Sequence, residues 1–247
     1  MNEVDDEARF LAAYDLGAYP RPSVAVDIAL LTVADGALHA ALVQRAGHPQ
    51  RGRWALPGGF VRPGESPEDA VGRVLRVKTG LTDVYTAQLA TFGDPDRDPR
   101  GWVVAIAYYA LVPVDRLRAG LTTADDIVLA RVLVPDGTPL AASAVAVAES
   151  GEIPLAFDHA AILGRAALRV RGRLWYAPIA FELMPDEFTL RDLQLTYEAL
   201  LGRETDKNSF RRRILASGLV APVGRRRAGM RARPAELYRF DRRPADA

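Results

Sequence analysis

The stretch "GGFVRPGESPEDAVGRVLRVKTGL", residues 58–81, decides how the rest of the chain is read. Ser66 and Asp69 stand three apart with Pro67 between them. A serine hydroxyl there can accept the N–H of the third helical residue while the acid reaches back to the serine N–H, and proline loses nothing in a first turn. Ala70, Val71, Val74, Leu75 and Val77 follow at helical spacing, and Gly80 supplies a left-handed stop. The spacing therefore predicts one amphipathic helix, entered from a loop around Pro57-Gly58-Gly59.

Around this helix the patterns are those of strands. "SVAVDIALLTV" and "ALHAALVQRA" flank Ala34-Asp35-Gly36, an Asp-Gly hairpin signal. Further strand-like runs are Tyr85–Phe92, Val103–Val112 and Ile127–Val134, while the Ala-rich stretch 140–148 receives no assignment. The fold class is α+β: a mixed sheet with helices, built from hairpins rather than regular strand–helix–strand alternation. With 247 residues, 49 % hydrophobic and 26 % charged, the chain has room for two domains of moderate size. It has no cysteine, which excludes thiol catalysis, disulfides and cysteine-zinc sites and permits a reducing cytoplasm. The acidic start "MNEVDDEARFLAAYD" lacks the form of a secretory signal. The most apolar stretch, "WVVAIAYYALVPV", is shorter than the ~20 residues a membrane span needs.

The net charge of +1 conceals a split: acids outnumber bases in residues 1–156, and bases outnumber acids in 157–247. Such asymmetry points to an anionic partner for the second part. Texture changes there too. "DHAAILGRAALRVRGRLWY" reads as a helix with Asp158 as N-cap and His159 as the cap's neighbour. Thr189 and Asp192 form a capping box for a helix whose inner face is Leu190, Leu193, Tyr197 and Leu200/Leu201, stopped by Gly202. Asp206 caps the next, "KNSFRRRILAS", with Phe210 and Ile214 inward. Two short helices across a tight turn, then "LVAPV" and "AELYRF" around "GRRRAGMRARP", predict a winged helix-turn-helix. Residues 203–233 hold ten Lys/Arg against two acids, Glu204 and Asp206, a density suited to nucleic-acid phosphates. Lys207, Asn208, Arg211 and Arg212 lie where a recognition helix meets base edges, and Arg225, Arg226, Arg227, Arg231 and Arg233 belong to the wing.

Gly59, Glu65 six positions on and Arg73 eight further, followed by Leu75, Gly80 and Leu81, resemble the Nudix box. In that family three glutamates on one helix face hold Mg²⁺ against a diphosphate. Here those positions are Val74, Val77 and Lys78, so the metal set and the catalytic set are both expected to be empty. Lys78 is a candidate stand-in for the metal's charge, with a solvated position near the helix C-terminus as the plain alternative. Arg97 and Arg100, in "FGDPDRDPRG", are candidate phosphate or ribose contacts, and Trp54 is read as core in preference to a base-stacking surface. The expected ligand set is Gly59, Glu65, Lys78, Arg97 and Arg100.

Taken with "RPSVAVDIALL", "WALPGGFV", "LAFDH" and "RPAELYRF", these segments resemble, in order, the Nudix-related transcriptional regulators of NAD metabolism. The resemblance implies a Nudix-like ligand-sensing domain over 1–156 and a winged helix-turn-helix domain over 157–247. It implies a cytoplasmic homodimeric repressor that binds an inverted repeat in double-stranded DNA, needs no cofactor, and is tuned by ADP-ribose or a related nucleotide. The competing reading is a Mg-dependent ADP-ribose or sugar-nucleotide pyrophosphatase drawing its ligands from Glu65, Asp69, Asp125 and Asp126. Hydrolysis by a Ser/His/Asp triad finds little support, since none of His39, His48 and His159 lies in a nucleophile-elbow context.

Overall fold

A computed structural model describes residues 3–121, 126–134, 143–227 and 234–242. Asp125, Arg231 and Arg233 lie outside the described residues. Helix α1 (Glu3–Ala13) and a short 3-10 turn (Leu16–Ala18) precede strands β1 (Ser23–Ala34), β2 (Ala37–Gln44), β3 (Trp54–Ala55) and β4 (Gly58–Phe60). Helix α2 (Pro67–Thr79), β5 (Tyr85–Phe92), β6 (Val103–Leu111), helix α3 (Val114–Leu121), β7 (Ile127–Leu133), β8 (Val145–Ala148) and β9 (Gly151–Ile153) follow. The main sheet runs β5-β6-β1-β2-β7-β8-β9, with β3 on β2 and β4 on β1. It is mixed: β1 pairs parallel with β6 and antiparallel with β2.

Local signals in the sequence are realised as local geometry. Asp35 and Gly36 adopt φ of 48° and 71°, the pair of left-handed residues a two-residue hairpin requires. The Ser66 side chain accepts from the Asp69 N–H, the Asp69 carboxylate accepts from the Ser66 N–H, and Gly80 closes α2 at φ 68°. Strand β1 is apolar along almost its whole length because helices cover both faces. Val26, Ile28 and Leu30 pack with Val71, Val74, Leu75 and Leu117 of α2 and α3. Ala29 and Leu31, on the opposite face by the two-residue period of a strand, join a core that includes Ile162 and Ala166.

Helix α4 (His159–Arg173) lies on that second face and is followed by a 3-10 segment, Pro178–Leu183. Then come β10 (Phe188–Thr189), α5 (Leu190–Leu201), α6 (Lys207–Ala216), β11 (Val220–Arg227) and β12 (Ala235–Phe240), with strand order β10-β12-β11. This is a winged helix. Its Leu193, Tyr197, Phe210, Ile214 and Tyr238 belong to the same apolar cluster as the sheet face, so the two parts share one interior. At the seam Trp175 packs on Tyr197 at 5.0 Å and Phe210 at 6.4 Å, under the Arg213 guanidinium at 4.1 Å.

Several expectations need correction. Asp158 makes no side-chain cap bond to α4, because its carboxylate is engaged elsewhere. Helix α4 stops at Arg173 and does not reach Tyr176; Ala177, ahead of Pro178, is extended, as residues before proline tend to be. Strand β11 runs past Val223 to Arg227 after a register shift between Pro222 and Arg226, with Gly224 at φ 77°. Arg225, Arg226 and Arg227 are thus strand residues of the wing rather than its loop. Part of the unassigned Ala-rich stretch is β8, and α1 is an added element whose exposed Phe10 ring lies against Tyr14, just past the helix, which in turn stacks on Tyr19. Among the described residues no helix is long and apolar enough to cross a membrane.

Candidate nucleotide cleft and nucleic-acid face

The loops at one end of the sheet enclose a small cleft of about 160 Å³. Asp27 of β1, the Gly58-Gly59-Phe60 turn, Arg97, Arg100 and Phe157 line it, along with Arg45. The turn must be glycine at its first position: a Cβ on Gly58 would stand 2.5 Å from the Asp27 Oδ1 and 2.8 Å from the Val26 carbonyl. At Gly59 a Cβ would touch Val74 at 3.4 Å, so the valine that replaces a box acid supports the turn from below.

Arg97 is the hub. Its Nε and Nη2 donate to the two Asp158 oxygens at 2.9 and 2.7 Å, and Nη2 also donates to Asp27 at 3.1 Å. Only 4 % of the Arg97 side chain is exposed. Burial works against its charge, but the bond it donates to Asp158 and the charges of Asp27 and Asp158 outweigh burial and raise the guanidinium pKa. His159 is buried beside it. Its Nδ1 accepts the Leu56 N–H at 2.9 Å, and its Nε2 faces the Asp27 Oδ1 at 3.5 Å. Because Nδ1 accepts the Leu56 N–H it carries no proton, which leaves the ring's proton on Nε2, and burial, which lowers the pKa against the pull of the neighbouring acids, favours that uncharged form.

The outer rim differs. Arg100 is bidentate on Asp98, at 2.9 and 2.6 Å, which raises the arginine pKa and lowers that of the aspartate. Its guanidinium lies over Phe60 at 4.9 Å and near Phe157 at 5.8 Å. Arg45 lies over Phe157 at 4.7 Å and donates to the Pro49 carbonyl at 2.9 Å. Among the described residues it has no carboxylate within ion-pair distance. Its pKa is lowered by burial first and by Arg100 second. Anions are what such a rim can take: two guanidiniums held against aromatic faces, one of them without an acid of its own.

Of the expected ligand residues, Gly59, Arg97 and Arg100 are brought together. Glu65 and Lys78 do not line the cleft. Glu65 is bidentate to Arg73, at 2.6 and 2.7 Å, and also accepts the Arg62 N–H at 2.9 Å. That pairing, Arg73 above all, holds its pKa down at about 2. Lys78 is exposed in the last turn of α2, Val77 is 70 % exposed, and Val74 is buried. Asp69 is committed to the capping box, Asp126 precedes β7, and the partly buried Trp54 packs against the core and does not line the cleft. Among the described residues no cluster of three acids or histidines is placed to hold a metal ion. The donor set does not fit Mg²⁺, which wants several free oxygens at one point.

No local pattern marks Asp27, Arg45, Phe157 or His159 as cleft residues, although Phe157 and His159 lie in the "LAFDH" segment that carries part of the resemblance. One signal was available: an aspartate inside the apolar run of β1 needs a buried partner.

At the other end, Lys207, Asn208, Arg211 and Arg212 are all exposed on α6, whose inner residues Phe210 and Ile214 are buried. Asp206 caps the helix by accepting the Ser209 N–H at 2.8 Å. In the wing, Arg225 pairs with Glu187, and Arg227 with Asp192 at 2.9 Å.

A degenerate Nudix loop-helix on a mixed sheet, continuous with a basic winged helix, defines a class in which both parts are carried on one chain. Family models agree: residues 21–132 match the NUDIX domain and residues 180–240 the NrtR DNA-binding winged helix domain. The chain is 35 % identical to the ADPR responsive transcriptional repressor NtrR of Acinetobacter baylyi over 236 residues, 95 % of this chain and 88 % of that one. It is similar to Shewanella oneidensis NrtR crystallised with a 27mer DNA (TM-score 0.75, 35 % identity), covering 88 % of this chain and 93 % of that one. The NUDIX domain of the same Shewanella protein, crystallised with ADP ribose, matches at a TM-score of 0.52 and 33 % identity, over 66 % of this chain and 98 % of that domain. The chain belongs to the NrtR family of Nudix-related regulators.

Proposed function

We propose that this chain is a cytoplasmic DNA-binding repressor of NAD-synthesis or salvage genes, whose Nudix part senses ADP-ribose or a close relative without cleaving it. The observation that carries the reading is the contrast on α2. The frame of a diphosphate-cleaving loop-helix is intact, while each acid left in it is engaged in holding that frame. Glu65 is held by Arg73, Asp69 by Ser66, and Glu68 accepts the Tyr108 hydroxyl, which supports a loop-helix that holds a nucleotide without gathering acids around a metal. The Shewanella complexes support both partners, DNA at the winged helix and ADP-ribose at the Nudix part.

The protein acts as a homodimer, since two winged helices related by a two-fold axis match an inverted repeat. Lys207, Asn208, Arg211 and Arg212 meet base edges or adjacent phosphates, and the wing arginines, Arg231 and Arg233 included, meet the backbone. The cleft takes the nucleotide's diphosphate at Arg45 and Arg100, with Gly59 lending its backbone. At about 160 Å³ it is smaller than the usual ~300–1,000 Å³ ligand pocket, so binding requires its rim to open.

The test is fluorescence anisotropy on operator DNA, titrated with ADP-ribose, with the nucleotide recovered and analysed afterwards in Mg²⁺ and in Mn²⁺. The expected result is salt-sensitive DNA binding shifted by a nucleotide that is returned intact. Release of AMP and ribose phosphate would restore the pyrophosphatase reading.

A further inference from the structure

Three consecutive residues at the head of α4 engage three separate parts of the cleft. Asp158 holds Arg97, and His159 takes the Leu56 N–H ahead of the glycine turn. Phe157 puts its ring between Arg45 and Arg100, at 4.7 and 5.8 Å, while touching His159 at 5.5 Å. Of the three only Phe157 is in an unfavourable backbone state. Its φ is 52°, the left-handed region that a large aromatic residue rarely occupies. The strain is held by a bond across 107 positions, from the Phe157 N–H to the Gln50 Oε1 at 3.0 Å, and Gln50 is itself left-handed at φ 59°. Strained residues of this kind cluster at active sites, ligand clamps and switch regions.

The far end of α4 is tied to the winged helix. Arg171 donates to the Leu200 carbonyl of α5 at 3.2 Å, and the Leu174 carbonyl, just past the helix, accepts from the Tyr197 hydroxyl at 3.1 Å. A rigid rod thus has one end in the cleft and the other against the helices that carry the basic face.

We propose that Phe157 is the positioning residue that couples occupancy of the cleft to the DNA-binding end. A diphosphate that engages Arg45 and Arg100 removes two cations from the Phe157 ring. The contacts that help hold the left-handed backbone are then lost, and the head of α4 moves. Nucleotide shifts the DNA equilibrium only to the extent that it favours the displaced arrangement over the present one. This inference rests on the nucleotide-sensing reading above.

The test compares wild type with Phe157→Leu, which keeps apolar bulk and removes the aromatic face, and Phe157→Gly, which also relieves the left-handed strain. ADP-ribose affinity is measured by calorimetry. DNA affinity is measured by anisotropy without nucleotide and at saturating ADP-ribose, and the ratio of the two DNA constants is the coupling factor. In wild type that factor should fall in the ~5–150-fold range common for allosteric pairs. In both variants it should collapse toward one, with DNA affinity without nucleotide displaced toward the value wild type shows at saturating ADP-ribose, while calorimetry still reads saturable ADP-ribose binding. A full coupling factor in both variants overturns the role of Phe157 alone. A wild type that binds DNA but does not respond to saturating ADP-ribose overturns the sensing reading and this inference with it.

Discussion

The arginines at the two ends of the molecule obey different rules. In and around the cleft Arg73, Arg97 and Arg100 each have a carboxylate built for them, and Arg97 is almost wholly buried between two. On α6 and the wing the cations face solvent, and the pairs that form, such as Arg227 with Asp192, are half exposed. A buried pair fixes geometry, because losing either partner strands a charge in a low dielectric. An exposed cation contributes little to folding and stays free to trade water and loose partners for phosphate. One chain thus uses the same side chain as scaffold at Arg97 and Arg73 and as contact surface on α6 and the wing.

The largest effect that could break this distinction is on Arg97. Replacing it with alanine leaves Asp27 and Asp158 facing each other without a cation, and removal of one partner from a buried pair costs ~3–5 kcal/mol. Chemical denaturation of Arg97→Ala should show a loss of that order; a loss below about 1 kcal/mol would place the pair among ordinary surface bridges. Next come the single changes Lys207→Ala, Arg211→Ala and Arg212→Ala. Each should weaken operator binding and flatten the plot of log affinity against log salt by about one where a phosphate contact is lost. Stability should move by no more than about 0.5 kcal/mol. A large drop in melting temperature with an unchanged salt slope would reverse the assignment for that residue.

A subtler case is Glu65, whose folded pKa near 2 lies below its ordinary value of 4.5 because of Arg73. A depressed carboxylate stabilises the fold above its unfolded pKa, and the benefit is lost as pH falls through the folded value. Glu65→Gln should therefore lower the melting temperature at pH 7, with the gap to wild type closing between about pH 4.5 and pH 2. A gap that persists at pH 2 would mean that shape, not charge, is what Glu65 supplies. Smallest of all is Lys78→Glu. Exposed and outside the cleft, Lys78 should alter ADP-ribose affinity by less than about twofold on reversal; a tenfold loss would bring it back as a partial substitute for the metal.

What could be read in the sequence was what neighbours along the chain decide. The α2 capping box, the Asp35-Gly36 turn and the Thr189 and Asp206 caps each need only a few consecutive residues. The two helices of the reader and the exposed face of α6 follow from the same short-range periodicity. The cleft does not, because its bonds join residues 61, 70, 103 and 107 positions apart. Asp158 illustrates the limit. It stands at a helix start, where local rules favour a cap, yet a buried guanidinium from a distant loop outcompetes a backbone N–H for its carboxylate. Glu65 shows the same limit from the other side: its pairing with Arg73, eight positions on, turns it into the loop and leaves it outside the cleft lining. Short pairings such as β8 and β10 carry too few residues for any period to show.

The shared interior under α4 has a bearing on how this protein comes apart. Ile162, Ala166 and Val170 of α4, Leu193 and Phe210 of the winged helix, and Leu31 and Tyr109 of the sheet belong to one apolar cluster. Peeling the winged helix away would open that cluster to water on both surfaces, at ~25 cal/mol for each Å² of apolar surface exposed. Heat should therefore melt the chain in one calorimetric transition, with the sensor and the reader lost together.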